Sequence, residues 1–90
     1  MSQFTIEELQ SIAREIIGDR EIVLAPEMTA VDVPGWDSLN HTLISLEIGG
    51  RLGCEIDPQQ LAQAATFGEV IEIVNTELES TGQSSEFTTR

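Results

Sequence analysis

Apolar residues recur at helical spacing along most of this chain. Ile6, Leu9, Ile12, Ala13, Ile16 and Ile17 fall on one face of a helix expected over residues 5–17. Thr5 and Glu8 stand three apart at its start, the spacing of a capping box, and Gly18 is a natural stop. Residues 18–37 show little periodicity. They hold Pro26 and Pro34 along with apolar Ile22, Val23, Leu24, Met28 and Val31, so this long connection is expected to pack against the helices. A second helix opens at Asp37 or Ser38 and runs to about Leu52, before Gly53. Leu39, Thr42, Leu43 and Leu46, with Ile48, offer it an apolar stripe. Gly49-Gly50 predicts a kink, each glycine costing about 1 kcal/mol relative to alanine.

Asp57 and Pro58 suit the cap and first position of a short helix over about 59–64. Thr66 and Glu69 suggest a second capping box, ahead of a helix from Phe67 to about Leu78 with Val70, Ile71, Val74 and Leu78 on one face. Residues 80–90, rich in Ser, Thr and Gly, read as a mobile tail beyond a domain of residues 1–79. The fold class expected is all-α: three main helices, one short helix and a long first loop. No segment makes a convincing strand.

Charge narrows the partners. Sixteen acidic residues face four arginines, there is no lysine, and the net charge is -12 over 90 residues. That balance opposes nucleic-acid binding, whose affinity comes from phosphate contacts, and favours partners with basic surfaces. No apolar run approaches a membrane span, so insertion is not expected. The N-terminus lacks the basic start and apolar core of a signal peptide, so the expectation is a cytoplasmic monomer. Cys54 is the only cysteine and excludes an internal disulfide.

The candidate chemistry lies in Pro34–Leu46, PGWDSLNHTLISL, which sets Asp37, Ser38 and Leu39 at the mouth of the second helix. Asp37 and Ser38 are both good caps, and a cap is worth ~1 kcal/mol with no further role. A hydrolase built from Ser38, His41 and Asp37 is disfavoured. Three near neighbours on one helix start cannot form a relay, and no Gly-x-Ser-x-Gly elbow is present. Neither Asp32 nor Asp37 begins a calcium loop, and His41 with Cys54 cannot close a zinc site, so no metal is expected.

Asp37-Ser38-Leu39 after a Pro/Gly loop, its spacing to Glu55-Ile56 and Thr66, and the small acidic helical setting resemble the acyl carrier protein family over about Phe4 to Leu78. The resemblance implies a four-helix bundle with no catalysis of its own. It also implies a phosphopantetheine arm, taken from coenzyme A, on Ser38, with Asp37 and Leu39 flanking the attachment. A helix N-terminus suits the phosphodiester, because backbone donors and the helix dipole favour an anion there. The implied partners are a phosphopantetheinyl transferase and acyl-loading and acyl-transfer enzymes of fatty acid, polyketide or specialised acyl metabolism. Trp36, His41, Leu43 and Glu47 are candidate partner contacts.

For each of these there is a simpler role: Trp36 packing on the bundle, His41 solvated, Leu39 partly in the core, and Leu43 in the core if the helix is rotated. Trp-Asp-Ser-Leu-x-His is similar to some stand-alone carriers of specialised metabolism. The chain departs from the family at Leu43, Gly49, Gly50 and Arg51, where acids often lie, which points to partners that read a more apolar surface. A peptidyl carrier loading an amino acid and an unmodified helical interaction module are the alternatives.

Overall fold

The computed structural model describes residues 3–88, and side chains through residue 79. Its elements are α1 (Ile6–Ile17), a 3-10 turn (Ala30–Asp32), α2 (Ser38–Leu52), α3 (Pro58–Ala62) and α4 (Phe67–Thr88). No strand occurs among the described residues. This is the all-α bundle of three main helices, one short helix and a long first loop that the periodicity predicts.

The helix starts follow the sequence signals closely. Thr5 Oγ1 accepts from the Glu8 amide at 3.2 Å, and the Glu8 carboxylate accepts from the Thr5 amide. Asp37 caps α2 by accepting the Asn40 amide at 2.8 Å. Asp57 caps α3, with Pro58 in its first turn. The start of α4 differs from the expected box. Thr66 Oγ1 accepts from the Glu69 amide, but the Glu69 carboxylate accepts from the Ala65 amide, one residue before the expected partner. The first α4 amides are also taken by the long loop: Phe67 N–H donates to the Met28 carbonyl and Gly68 N–H to that of Pro26, both at 2.9 Å. That helix runs on to Thr88, past the end expected near Leu78, and no proline stands in that stretch to stop it. The side chains of the tail read at 80–90 lie outside the described residues.

The core is drawn from every element. Leu9, Ile12 and Ala13 of α1 meet Ile44 and Ile48 of α2, Leu61 of α3, and Phe67, Val70 and Val74 of α4. The long loop packs down as expected, burying Ile22, Leu24 and Val33, although Val23 and Val31 face solvent. Polar side chains of α1 hold it there. Arg14 Nε donates to the Ile22 carbonyl at 2.7 Å, and Gln10 Oε1 accepts from the Leu24 amide at 2.9 Å. The Asn75 amide pairs with both backbone groups of Phe4, which ties the chain start to α4.

One expectation for α2 is corrected. The stripe Leu39, Leu43 and Leu46 is not the buried face: these leucines are 68%, 42% and 59% exposed, whereas Ile44, Ser45 and Ile48 are buried. Leu39 therefore does not belong to the core. The helix runs through Gly49-Gly50 to Leu52, the end expected for it. A Cβ on Gly49 would stand 2.7 Å from the Cys54 carbonyl oxygen, so this glycine admits the backbone that follows the helix.

Gly35 has a similar role before α2. Its φ is +91°, and a Cβ there would lie 2.7 Å from Ile17 Cγ2. Gly35→Ala should therefore destabilise the domain by about 1–3 kcal/mol, from left-handed backbone and overpacking together, read as a lower urea midpoint. The charge yields a second expectation. Among the described residues only Arg51 forms ion pairs, with Glu15 and Glu47. Most acids therefore repel one another across the surface, and the melting temperature should rise from low to moderate ionic strength as salt screens them. A flat or falling midpoint would contradict this.

Candidate functional site

Ser38 is the first residue of α2 and is exposed. Three interactions fix its position. Asp37 caps the helix; the Asn40 side-chain amide donates back to the Gly35 carbonyl at 2.7 Å; and the Trp36 amide donates to the Val33 carbonyl at 3.1 Å. The turn before Ser38 is thus pinned to the helix it introduces. The Ser38 and Leu39 amides, in the first helical turn, have no hydrogen-bond partner among the described residues. They point out of the positive end of the helix dipole, where an anion is favoured.

Beside Ser38 opens a groove of about 730 Å³ between the start of α2, α3 and the start of α4. Leu61, Phe67 and Val70 supply its apolar side, and Pro58, Ala62, Ala65 and Thr66 line it further. Asp37 is the only carboxylate on its wall.

Trp36 and His41 form part of that wall through a relay. The indole N–H donates to His41 Nδ1 at 3.3 Å, which leaves the imidazole proton on Nε2, 2.8 Å from the Pro58 carbonyl. The Trp36 ring also packs on Phe67, with centroids 4.8 Å apart. One side chain, His41, thus joins the long loop, α2 and α3. This overturns the solvated reading of His41, because both its nitrogens are engaged. It supports the packing role for Trp36.

The candidate residues therefore divide in two. Trp36, Asp37, Ser38 and His41 meet at the groove. Leu39 and Leu43 stand on the outer face of α2. Glu47 accepts from Arg51 Nε at 2.7 Å, and Arg51 also bonds Glu15. The Glu47 hydrogen bond, foremost, raises the Arg51 pKa and keeps the guanidinium charged.

Sequence reasoning missed Asn40, Pro58 and Phe67 at the site. The caps at Asp37, Asp57 and Thr66 were legible, but not that the three helix starts they mark enclose one groove. Cys54, half-buried away from the groove, has its thiol pKa pushed up by burial and then by Glu77, which disfavours the nucleophilic thiolate.

No protein-family model matches the chain, and no curated protein matches it. Among solved structures, the chain is similar to the solution NMR structure of a holo acyl carrier protein from Geobacter metallireducens. The TM-score is 0.75 at 25% sequence identity, over 88% of this chain and 91% of that one. With the bundle, the long first loop and the Asp37-Ser38-Leu39 helix start in place, the chain has an acyl-carrier-like four-helix fold. Its role is that of a carrier rather than a catalyst. No helix among the described residues is long and apolar enough to cross a membrane.

The relay yields a direct test of His41. His41→Ala removes the acceptor for Trp36 and the donor to Pro58, so it should cost about 1–3 kcal/mol. In a domain this size that lowers the melting temperature by roughly 4–8 °C per kcal/mol, accompanied by a change in Trp36 fluorescence. A solvated histidine would instead leave stability within about 0.5 kcal/mol.

Proposed function

We propose that Ser38 carries a phosphopantetheine arm and that the chain presents acyl groups on it as thioesters. The observation that carries this reading is an exposed serine hydroxyl at the first turn of α2, beside an apolar groove and below two unclaimed amides. The solved structure that the chain is similar to is described as a holo carrier, which supports the same reading.

The residues fit such a group. In the loading step the Ser38 oxygen forms a bond to phosphorus as the pyrophosphate P–O bond of coenzyme A breaks. Adenosine 3′,5′-bisphosphate leaves, and the hydroxyl proton passes to a base on the transferase. No base is needed on this chain. The amides of Ser38 and Leu39 are placed to donate to the resulting phosphodiester. Asn40, through Gly35, keeps the turn in the conformation that exposes Ser38. The arm supplies a terminal thiol on which acyl groups are held. The groove wall of Leu61, Phe67 and Val70 offers apolar shelter for a short acyl chain.

A phosphopantetheinyl transferase and acyl-loading and acyl-transfer enzymes are the partners this implies. Any of them must reach Ser38, and so must meet α2. Leu39 and Leu43 are the contacts best placed for that, because they are exposed on the same helix. The bond to Arg51 makes Glu47 a less available anion than the sequence suggested. Trp36 and His41 shape the groove from inside and would act on partners through it.

Incubation with coenzyme A and a promiscuous phosphopantetheinyl transferase, followed by intact mass measurement, should add one phosphopantetheine to the native chain and none to Ser38→Ala. Modification of the alanine variant, or none on the native chain, would refute the assignment.

A further inference from the structure

His41 is the only histidine of the chain, and its two ring nitrogens serve in opposite ways. Nδ1 accepts from the Trp36 indole N–H at 3.3 Å, and Nε2 donates to the Pro58 carbonyl at 2.8 Å. Only the neutral imidazole can do both, because it has one acceptor nitrogen and one donor. The partners cannot exchange roles: an indole N–H only donates and a carbonyl only accepts. Loading of Ser38 requires none of this.

The elements packed around the ring bring two acids and no second cation. On α2 itself Asp37 is the only carboxylate of the groove wall, and its Oδ1 accepts from the Asn40 amide at 2.8 Å. At the start of α3, Asp57 Oδ1 accepts from the Gln59 amide at 2.9 Å. Their charge favours proton uptake by the ring. Each is tied to its own helix start, however, and Nδ1 faces the indole instead. The long loop brings Thr29, Ala30 and Trp36 to the groove, and α4 brings Phe67 and Val70, none of them charged.

We propose that His41 is a pH-sensitive latch on the groove wall: a proton on Nδ1 releases the Trp36 indole while α3 stays held. The proton comes from solvent and takes the Nδ1 lone pair, which leaves two donors, Nδ1–H and the indole N–H, face to face. The bond from Nε2–H to the Pro58 carbonyl survives, strengthened by the charge. The half-buried indole is then the part that moves, and it gives up its packing on Phe67, 4.8 Å away between centroids. Imidazole is the side chain that ordinarily changes charge between about pH 5 and 8, so the wall is closed above that range and opens as pH falls through it. Trp36, Asp37 and Ser38 are consecutive, so the opening lies at the attachment site. That it exposes an acyl group rests on the reading of Ser38 as the carrier residue; the latch itself does not.

The test is an NMR and fluorescence titration of the full, unloaded chain across about pH 8 to 5. The ring C–H resonances of the single histidine report protonation, and the indole N–H resonance and emission of the single tryptophan report Trp36. Both sets should change with one midpoint. On the acid side the Overhauser contacts between the Trp36 and Phe67 rings should be lost and the emission should shift to the red, while the amides of residues 59–62 keep their helical shifts. His41→Gln, whose amide does not titrate, should hold the indole signals constant over the whole range. Protonation of surface acids relieves repulsion and tightens the bundle, the opposite sign.

An indole that stays constant while His41 titrates, a histidine that takes up no proton across the range, or an unchanged pH response in His41→Gln would overturn the proposal. If the Gln variant does not fold, the two midpoints of the native chain decide: separate midpoints refute the latch. Loading of Ser38, read by mass at neutral pH, separates the two readings. A chain that takes the arm but has a silent indole refutes the latch alone, and a chain whose indole responds but takes no arm refutes the carrier assignment alone.

Discussion

The burial of Ile44 and Ile48 against α1 sets the rotation of α2, and most of what the molecule presents to others follows from that angle. A helix has one rotational freedom when it docks. Two fully buried isoleucines a turn apart remove it, each contributing on the order of 1.5–3 kcal/mol for leaving water. With that face inward, Leu39, Leu43 and Leu46 must point outward. Gly49 falls where the chain returns at Cys54, and His41 falls on the side facing α3. Ser45, also buried on this face, bonds its hydroxyl to the His41 carbonyl at 2.9 Å, so no buried side-chain polar atom among the described residues is left unpaired.

The groove beside Ser38 depends on a smaller set of contacts. A five-residue helix such as α3 has little stability of its own and must be held from outside. Leu61 anchors it in the core, and His41 holds its first residue through the Pro58 carbonyl. Trp36 braces the imidazole from behind and rests on Phe67, whose amide is in turn held by the Met28 carbonyl. The long loop therefore does more than connect two helices. It supplies one wall of the groove and two carbonyls that complete the start of α4.

Much of this was legible beforehand, and the errors share one origin. The helix starts at Thr5, Asp37 and Asp57 are local: the cap and the amide it satisfies lie within three residues, so the signal is complete in the sequence. The rotation of α2 is not local. Its apolar residues nearly encircle the helix, with Leu39, Leu43 and Leu46 on one side and Ile44 and Ile48 on the other, and a pattern apolar on two faces does not say which is buried. The sequence reading grouped the leucines with Ile48; packing buried Ile48 with Ile44 instead, in the space left by Leu9, Ile12 and Ala13. His41 was misjudged for the same reason. Nothing near it in sequence except Trp36 reveals its partner, because Pro58 comes from another helix.

The sequence by itself determined the helical class, the helix starts, the stops at Gly18 and Gly53, the acidic character, and the serine on which the carrier reading rests. Each of these is set by residues within one or two turns of one another, or by composition summed over the whole chain. Only the tertiary structure decided which face of α2 is buried, that the three helix starts at Asp37, Asp57 and Thr66 converge on one groove, that His41 is a strut, and that Leu39, Leu43 and Leu46 face outward. These depend on contacts between segments far apart in the chain, whose strength comes from close packing and from the need to pair every buried polar group once the segments meet.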